Sequence, residues 1–442
     1  MKKNLKFKNS FAMYDRALEF FPFGTQLFSR RPELGAYGQA PIYFDKAKGA
    51  HFWDIDGNEF IDTAMAFGPI SLGYCYEPVD SAVKAQIDKG ILSSVNSPLE
   101  VEMAEALKDM IPCAEMIRFC KTGGEADAVA VRMARGYTGR DLVLFCGYHG
   151  WHDWYLAANL ESGECLNKHL CPGISTKGVP SQLTGTAIPF EYNNIESLQS
   201  ALECNQGRVA CIIMEPTRFK HPNKGYLPEV RRLADEHGCV LIFDEVVTGF
   251  RLAAGGAQEY FGVIPDMATY AKAIANGYAL AAVCGKRGIL SSQADNFISS
   301  TYWSDTAVLA AGLATLREIR EKPVIKRMNE TGQKIQDGLK HLAGKHNVAC
   351  HLSGHPCDFS VSFDYGKASG KVITLYMQEM IARGVYASSI IYTCYSHTDE
   401  DVEKILETAD GSFEVIGQAV KEDSMDKYLK CPERQSGFRR LV

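Results

Sequence analysis

Along the middle of this chain, short apolar runs take turns with stretches of helical period. MIRFC (116–120), DLVLFC (141–146), VACIIM (209–214) and CVLIF (239–243) are strand-length, and helical patterns at 125–136 and 228–237 lie among them. Strands alternating with helices predict an α/β domain built on a mostly parallel sheet. Farther along, TAVLAAGLATLREIRE (306–321) reads as a long helix, and Pro323 marks a joint. Beyond it a second, smaller region is predicted. It has a helix carrying Ile325, Met328, Ile335, Leu339 and Leu342, strands near 357–364 and 384–387, and a helix over 399–418.

The N-terminal third is patterned differently. Residues 14–28 read as a short amphipathic helix ending near Pro22-Phe23-Gly24. HFWDIDGNEFID (51–62) reads as a hairpin around Asp56-Gly57. The spacing Asp54-x-Asp56-x-Asn58 imitates a calcium loop. Glu59 stands where that loop needs glycine and Met65 where it needs a bidentate glutamate, so calcium is rejected. Ser97-Pro98-Leu99-Glu100 is a capping box, followed by Leu99, Met103, Leu107 and Met110 on one helix face. Residues 158–185, rich in Gly, Pro, Ser and Asn, read as a long loop of the kind that forms lids or stays disordered. The predicted division is an N-terminal segment 1–60 packing with the small domain, a large domain 61–322 and a C-terminal small domain 323–442.

Composition narrows the function classes. The 442 residues are 46% hydrophobic with a net charge of −6, which gives no electrostatic reason to expect nucleic acid or anionic lipid. No apolar run is long enough to cross a membrane, and the basic start MKKNLKFKNSF lacks an apolar signal core. The 14 cysteines are scattered, with no Cys-x-x-Cys pair, which fits reduced thiols and a cytoplasmic location.

Two residues then stand out. Asp244 ends an apolar run, and Lys272 sits in the small-residue setting Ala271-Lys272-Ala273-Ile274-Ala275. A carboxylate at a buried strand end and a lysine among apolar neighbours are costly without partners. A pyridine aldehyde suits both, its ring nitrogen held by the acid and its aldehyde taken by the amine. In Cys120-Lys121-Thr122-Gly123-Gly124-Glu125, a strand ends, a small-residue turn follows and a helix begins, which is an anion-site pattern. Tyr148 and Glu215 also follow strands, and ligands of open parallel sheets sit at the carboxyl ends of strands. His149, His152 and Asp153 are poorly spaced for a metal, and no metal is expected.

LIFDEVVTGFR (241–251) and GGAQEYFGVIPDMATYAKAIANGY (255–278) resemble class III aminotransferases of the pyridoxal-phosphate fold-type-I superfamily. The nearest branch looks like glutamate-1-semialdehyde 2,1-aminomutase and its aminotransferase relatives. WDIDGNEFID, ARGYTGRD (134–141), YHG (148–150), MEP (214–216), AAGLATL (310–316) and SHTDEDVEKILETAD (396–410) match in the same order. The resemblance implies a large domain with a mostly parallel seven-stranded-type sheet flanked by helices, plus a small α+β domain from the terminal segments. It implies pyridoxal 5′-phosphate as cofactor and a homodimer with active sites at its interface. Lys272 would form the Schiff base and shuttle the proton, with Asp244 on the pyridine nitrogen. Val246 and Tyr148 would sandwich the ring, Glu215 would support it, and Thr122, Gly123 and Gly124 would hold the phosphate. Thr301 would reach the phosphate from the neighbouring subunit, and Arg30 would bind the substrate's carboxylate or phosph(on)ate.

The chain departs from the family pattern at Lys121 and Gly124, where the usual reading is Ser-Gly-Thr or Ser-Gly-Ser. Trp151, Tyr302 and Trp303 are bulkier than the aminomutase residues and would reshape the substrate pocket. The segment Ala387-Ser388-Ser389-Ile390-Ile391 lacks both the aminomutase acid and the glutamate-binding arginine of many aminotransferases. Transamination of a small primary amine bearing an anionic group is the first reading. Alternatives are an aminomutase, an ammonia-lyase or phospho-lyase on an amino-alcohol phosphate or aminophosphonate, and, weakest, a non-catalytic cofactor-binding protein.

Overall fold

The computed structural model describes residues 2–3, 5–217 and 219–438. The chain divides into two compact units, Glu77–Ile325 and Met1–Tyr76 with Lys326–Val442. The sequence-based boundaries stood at 60/61 and 322/323.

The larger unit is built on a seven-stranded sheet. Its strands lie in the order Met116–Cys120, Ala281–Gly285, Met267–Tyr270, Val240–Asp244, Val209–Met214, Leu142–Cys146, Ala187–Pro189. Only Ala281–Gly285 runs against the rest, pairing antiparallel with both neighbours. The strands at 142–146, 209–214 and 240–244 are buried at every position, which is why they appear as unbroken apolar runs. The helix Gly123–Thr138 lies over the strands at 209–214, 267–270 and 281–285. It turns Ala126, Ala130, Met133 and Ala134 inward.

Three strands carry no apolar-run signal. Ala187–Pro189 is only three residues long, and Met267–Tyr270 and Ala281–Gly285 are short and include Ala, Thr and Gly. Small residues are required there. A Cβ on Gly285 would lie 2.6 Å from Met267 Cγ and 2.7 Å from the Asp266 carbonyl oxygen. The capping box at Ser97 is present, with Ser97 Oγ accepting from the Leu99 N–H (3.2 Å) and Glu100 Oε1 from the Ser97 N–H (3.0 Å). The helix Thr306–Glu321 has the predicted bounds and is capped by Asp305. The 158–185 stretch is anchored rather than loose. Asn159 accepts from the Leu166 N–H (2.9 Å) and donates to the Ile174 carbonyl (3.1 Å), and Leu166 is fully buried.

The smaller unit holds a four-stranded sheet ordered Phe44–Lys48, His51–Asp54, Glu59–Asp62, Val385–Tyr386. A three-stranded antiparallel sheet follows, Cys350–His355, Asp358–Phe363, Ile390–Tyr392. The helices Ser369–Ile381 and Asp399–Lys421 enclose a core that includes Leu339, Phe359, Tyr376, Ile405 and Phe413. The 51–62 hairpin forms, and Asp54 Oδ1 accepts the N–H groups of Asp56 (3.0 Å) and Asn58 (2.7 Å). The spacing that imitates a calcium loop therefore serves the turn.

The helix expected over 14–28 is a correction. The helix spans Lys8–Ala17, and the chain then turns through single 3-10 turns at Pro22–Gly24 and Phe28–Arg30. Phe23 and Gly24 both adopt left-handed backbone (φ 66° and 65°). A Cβ on Gly24 would lie 2.4 Å from Tyr14 Cε2, so the turn folds back onto the helix. No helix of the described residues is long and apolar enough to cross a membrane.

Candidate active site

Six strands of the larger unit run in one direction and end on one edge of its sheet, at Cys120, Cys146, Pro189, Met214, Asp244 and Tyr270. Their carboxyl ends carry Thr122-Gly123-Gly124, Tyr148, Glu215, Asp244 and Lys272. The larger unit thus gathers most of the predicted residues by topology alone.

Asp244 is the best-held of them. It is 4% exposed and accepts from the Val246 N–H at 3.0 Å. His149 Nδ1 lies 2.8 Å from its other oxygen. An imidazole nitrogen facing a carboxylate is the donor, which fixes the ring orientation. His149 is fully buried, with Phe145, Trp154 and Tyr155 rings around it. Asp127 reaches the same place from the buried face of the helix Gly123–Thr138, and its Oδ1 accepts from Thr269 Oγ1 at 2.7 Å. Burial first, then the Asp244 charge, holds the Asp127 acid well above the usual carboxylate range. Asp127 and Asp244 thus share one buried place, where burial and the neighbouring charge both favour the protonated form of Asp127. Asp127, His149 and Asp244 offer donor atoms within 4.8 Å of one another, a spacing that would also suit a cation. The His149–Asp244 and Thr269–Asp127 bonds account for the cluster as a hydrogen-bonded chain.

The turn at 122–124 opens a helix of 16 residues, and Thr122 Oγ1 caps it by accepting from the Glu125 N–H (3.3 Å). Both following positions are tight for a side chain, Gly123 more so than Gly124. A Cβ on Gly123 would lie 2.9 Å from both Val246 methyl carbons, and one on Gly124 would lie 3.1 Å from Gly150 Cα. The turn, Val246 and the Tyr148-His149-Gly150 loop are thereby pressed together. Lys121 is turned to another use. Its Nζ pairs with Asp305 at 3.0 Å, and its N–H donates to Glu125 Oε2 at 2.6 Å.

Tyr148 is 39% exposed, and its N–H donates to Glu215 Oε2 at 3.0 Å. This bond joins two strand ends. Gly147 (φ 123°) precedes it, and a Cβ there would meet Glu215 Oε2 at 2.7 Å. Lys272 is partly buried between buried Ala271 and Ala273, with a left-handed φ of 49°. A side-chain-bearing residue held in that region is strained, a condition that concentrates at functional sites. Val246 is partly buried against the core.

The substrate residues divide. Trp151 (71% exposed) and Tyr302 (63%) present their rings outward, and Thr301 is exposed beside Tyr302. Trp303 is buried instead. Its indole N–H donates to Glu125 Oε1 at 3.0 Å, and the Arg118 guanidinium sits 5.0 Å over the ring. That places Trp303 as a brace for the start of the helix Gly123–Thr138. Arg30 belongs to the smaller unit, where it is exposed and its charge acts on the Tyr74 and Tyr386 phenols. Its neighbour Arg31 is 2% exposed and lies over Phe23 and Phe28, a packing role.

The larger unit fits a phosphorylated pyridine aldehyde on its own observations. A buried, doubly hydrogen-bonded carboxylate faces the needs of a pyridinium, and a glycine cradle at a helix start faces those of a phosphate. Asp127 and Thr269 were not singled out from the sequence. An acid on the inward face of Ala126, Ala130 and Ala134 is the signal that marks Asp127. His149 was weighed there only as a metal ligand, although its place after Tyr148 marks it as a neighbour of the ring-stacking residue.

The chain is similar to known proteins over most of its length. The aminotransferase class-III family model matches residues 35–407. The chain is 35% identical over 419 residues to a 3-aminobutyryl-CoA aminotransferase of Cloacimonas acidaminovorans, covering 92% of this chain and 97% of that one. It is equally 35% identical over 423 residues to a glutamate-1-semialdehyde 2,1-aminomutase of Syntrophobacter fumaroxidans, covering 91% and 96%. Among solved structures, the FumI protein of Sphingopyxis sp. MTA144 in its PLP internal aldimine form superposes with a TM-score of 0.87 at 25% identity, covering 97% and 99%. A glutamate-1-semialdehyde-aminomutase of Pseudomonas aeruginosa shares the fold, with a TM-score of 0.80 at 20% identity, covering 93% and 95%.

Proposed function

The chain belongs to the class III aminotransferases, pyridoxal-phosphate-dependent enzymes of fold type I, and from that premise we propose that it transfers the amino group of a small primary amine bearing a carboxylate or phosph(on)ate. The observation that carries the reading is the convergence of Lys272, the His149–Asp244 pair and the Thr122–Gly124 turn on one edge of the sheet. When bound, the cofactor supplies an electron sink next to the substrate's amine-bearing carbon.

The chain's own groups do the rest. Lys272 Nζ would anchor the cofactor and, as a free amine, would move the proton at the substrate's amine-bearing carbon. Asp244, oriented by His149, would hold the positive pyridine nitrogen. Tyr148 and Val246 would bound the ring, and Glu215 fixes the Tyr148 backbone. Arg30 is assigned to the substrate anion, because a guanidinium fork matches carboxylate and phosphate oxygens. Trp151 and Tyr302 restrict the substrate's size. The working form is a homodimer in the cytoplasm, with Thr301 of one copy reaching the phosphate held by the other.

An aminomutase is the second reading, favoured by identity to the curated aminomutase equal to that with the aminotransferase. One assay separates the readings. A panel of anionic primary amines is given to the loaded enzyme without any keto acid. Transamination stops after one stoichiometric conversion to the aminated cofactor. Multiple turnover to an isomer would mean a mutase, and multiple turnover with free ammonia a lyase.

A further inference from the structure

His152 follows the Tyr148-His149-Gly150 loop and has no part in the chemistry above. Its ring is fixed in place. Trp151 stacks on it with centroids 4.7 Å apart at 16°, and its carbonyl accepts the N–H groups of Tyr155 (2.9 Å) and Leu156 (3.1 Å). Its Nδ1 is buried and without a hydrogen-bond partner among the described residues. A buried ring nitrogen left without a partner is costly unless something satisfies it. The position of that atom is informative: Nδ1 lies 3.4 Å, and Cε1 3.5 Å, from where a Cβ on Gly124 would stand. The imidazole thus leans on the second glycine of the turn that opens the helix Gly123–Thr138.

That turn is short of side-chain donors. Gly123 and Gly124 offer only backbone N–H groups, and Lys121 is committed to Asp305. Thr122 carries the turn's hydroxyl, and its oxygen already accepts from the Glu125 N–H. A side chain at 124 would be crowded by Gly150 Cα at 3.1 Å and would lie against the imidazole.

We propose that His152 is a phosphate ligand of the cofactor, its Nδ1–H donating to a phosphate oxygen at the Thr122–Gly124 turn in place of a side chain at position 124. The proposal rests on the reading that the phosphate sits at this turn. Burial pushes the His152 pKa below its usual value, against the Glu125 and Asp153 charges. The proposed bond requires the tautomer with its proton on Nδ1, the nitrogen left without a protein partner. The bond adds to the backbone donors and the favourable end of the helix dipole.

The test is binding, not activity. Apoprotein is titrated with pyridoxal phosphate and separately with pyridoxal, which lacks the phosphate, and affinity is followed by protein fluorescence. His152→Leu keeps the bulk against Trp151 without an N–H, and His152→Ala is a smaller second variant. His152→Asn keeps an amide nitrogen near the Nδ1 position. The expected result is a loss of about ten- to a hundredfold in pyridoxal phosphate affinity for the Leu and Ala variants, the value of a charge-assisted hydrogen bond. Pyridoxal affinity is expected to stay at the wild-type level, and the Asn variant to stay close to wild type with both ligands. Equal losses for both ligands would overturn the proposal, making His152 a packing residue. So would an unchanged preference for the phosphorylated ligand in all three variants. Should wild type itself show no preference for pyridoxal phosphate over pyridoxal, the phosphate turn fails first and the proposal with it.

Discussion

Replacing Asp127 with asparagine tests the buried carboxyl pair. Asp127 is 1% exposed, hydrogen-bonded by Thr269, and adjacent to Asp244. Burial and then the Asp244 charge raise its acid well above the ordinary 3.8. The folded acid therefore keeps its proton to higher pH than the unfolded chain, which releases it above about pH 4. For an acid with a raised folded pKa, stability is undiminished below the unfolded value and falls as pH rises above it. The slope is about 1.4 kcal/mol per pH unit until the folded acid titrates. Asparagine copies the neutral acid, since its carbonyl accepts from Thr269 and its amide donates to Asp244, but it binds no titrating proton. The variant is expected to equal wild type near pH 4 and to be the more stable of the two at neutral pH, the gap widening with pH. Urea unfolding midpoints of both proteins, followed across that range, measure it. A variant less stable than wild type at every pH, with a parallel profile, would refute the neutral acid and mean that Asp127 is ionised.

Two further outcomes follow from other parts of the molecule. Gly150→Ala places a Cβ 2.8 Å from Gly124 Cα at a φ of 90°. The clash and the left-handed backbone together are expected to cost about 2–5 kcal/mol and to weaken cofactor binding, read by thermal melting and ligand titration. In the smaller unit, His397 is buried, accepts from the Cys394 N–H (3.0 Å), and has its pKa pushed down to about 4 by burial. A histidine whose folded pKa is depressed loses stability as pH falls from about 6.5 to about 4, here by up to about 3 kcal/mol. His397→Gln should flatten that part of the acid unfolding profile.

Much of the larger unit was readable because its central strands are buried on both faces and therefore appear as plain apolar runs. The strands at 267–270 and 281–285 were not, because close packing there demands Ala, Thr and Gly, which carry no hydrophobic signature. The helix expected over 14–28 failed for a local reason. Apolar residues from Leu18 to Phe28 continue its pattern, but the left-handed pair Phe23-Gly24 turns the chain back onto Tyr14. Asp244, Lys272, Tyr148 and the glycine turn were legible as strand-end residues of unusual type. Asp127 was not, because one acid within a small-residue helix face looks like an ordinary solvated position until the sheet covers it. Trp303 looked like a pocket residue, and its burial against Glu125 and Arg118 depends on contacts made across more than 170 positions of sequence.

The account turns on Lys272. Loaded enzyme is reduced with borohydride, which fixes a lysine–cofactor linkage irreversibly, then digested and mapped by mass spectrometry. The predicted result is one labelled peptide with the pyridoxyl group on Lys272, and no label in Lys272→Ala. A label on another lysine, or none in wild type, would contradict the account.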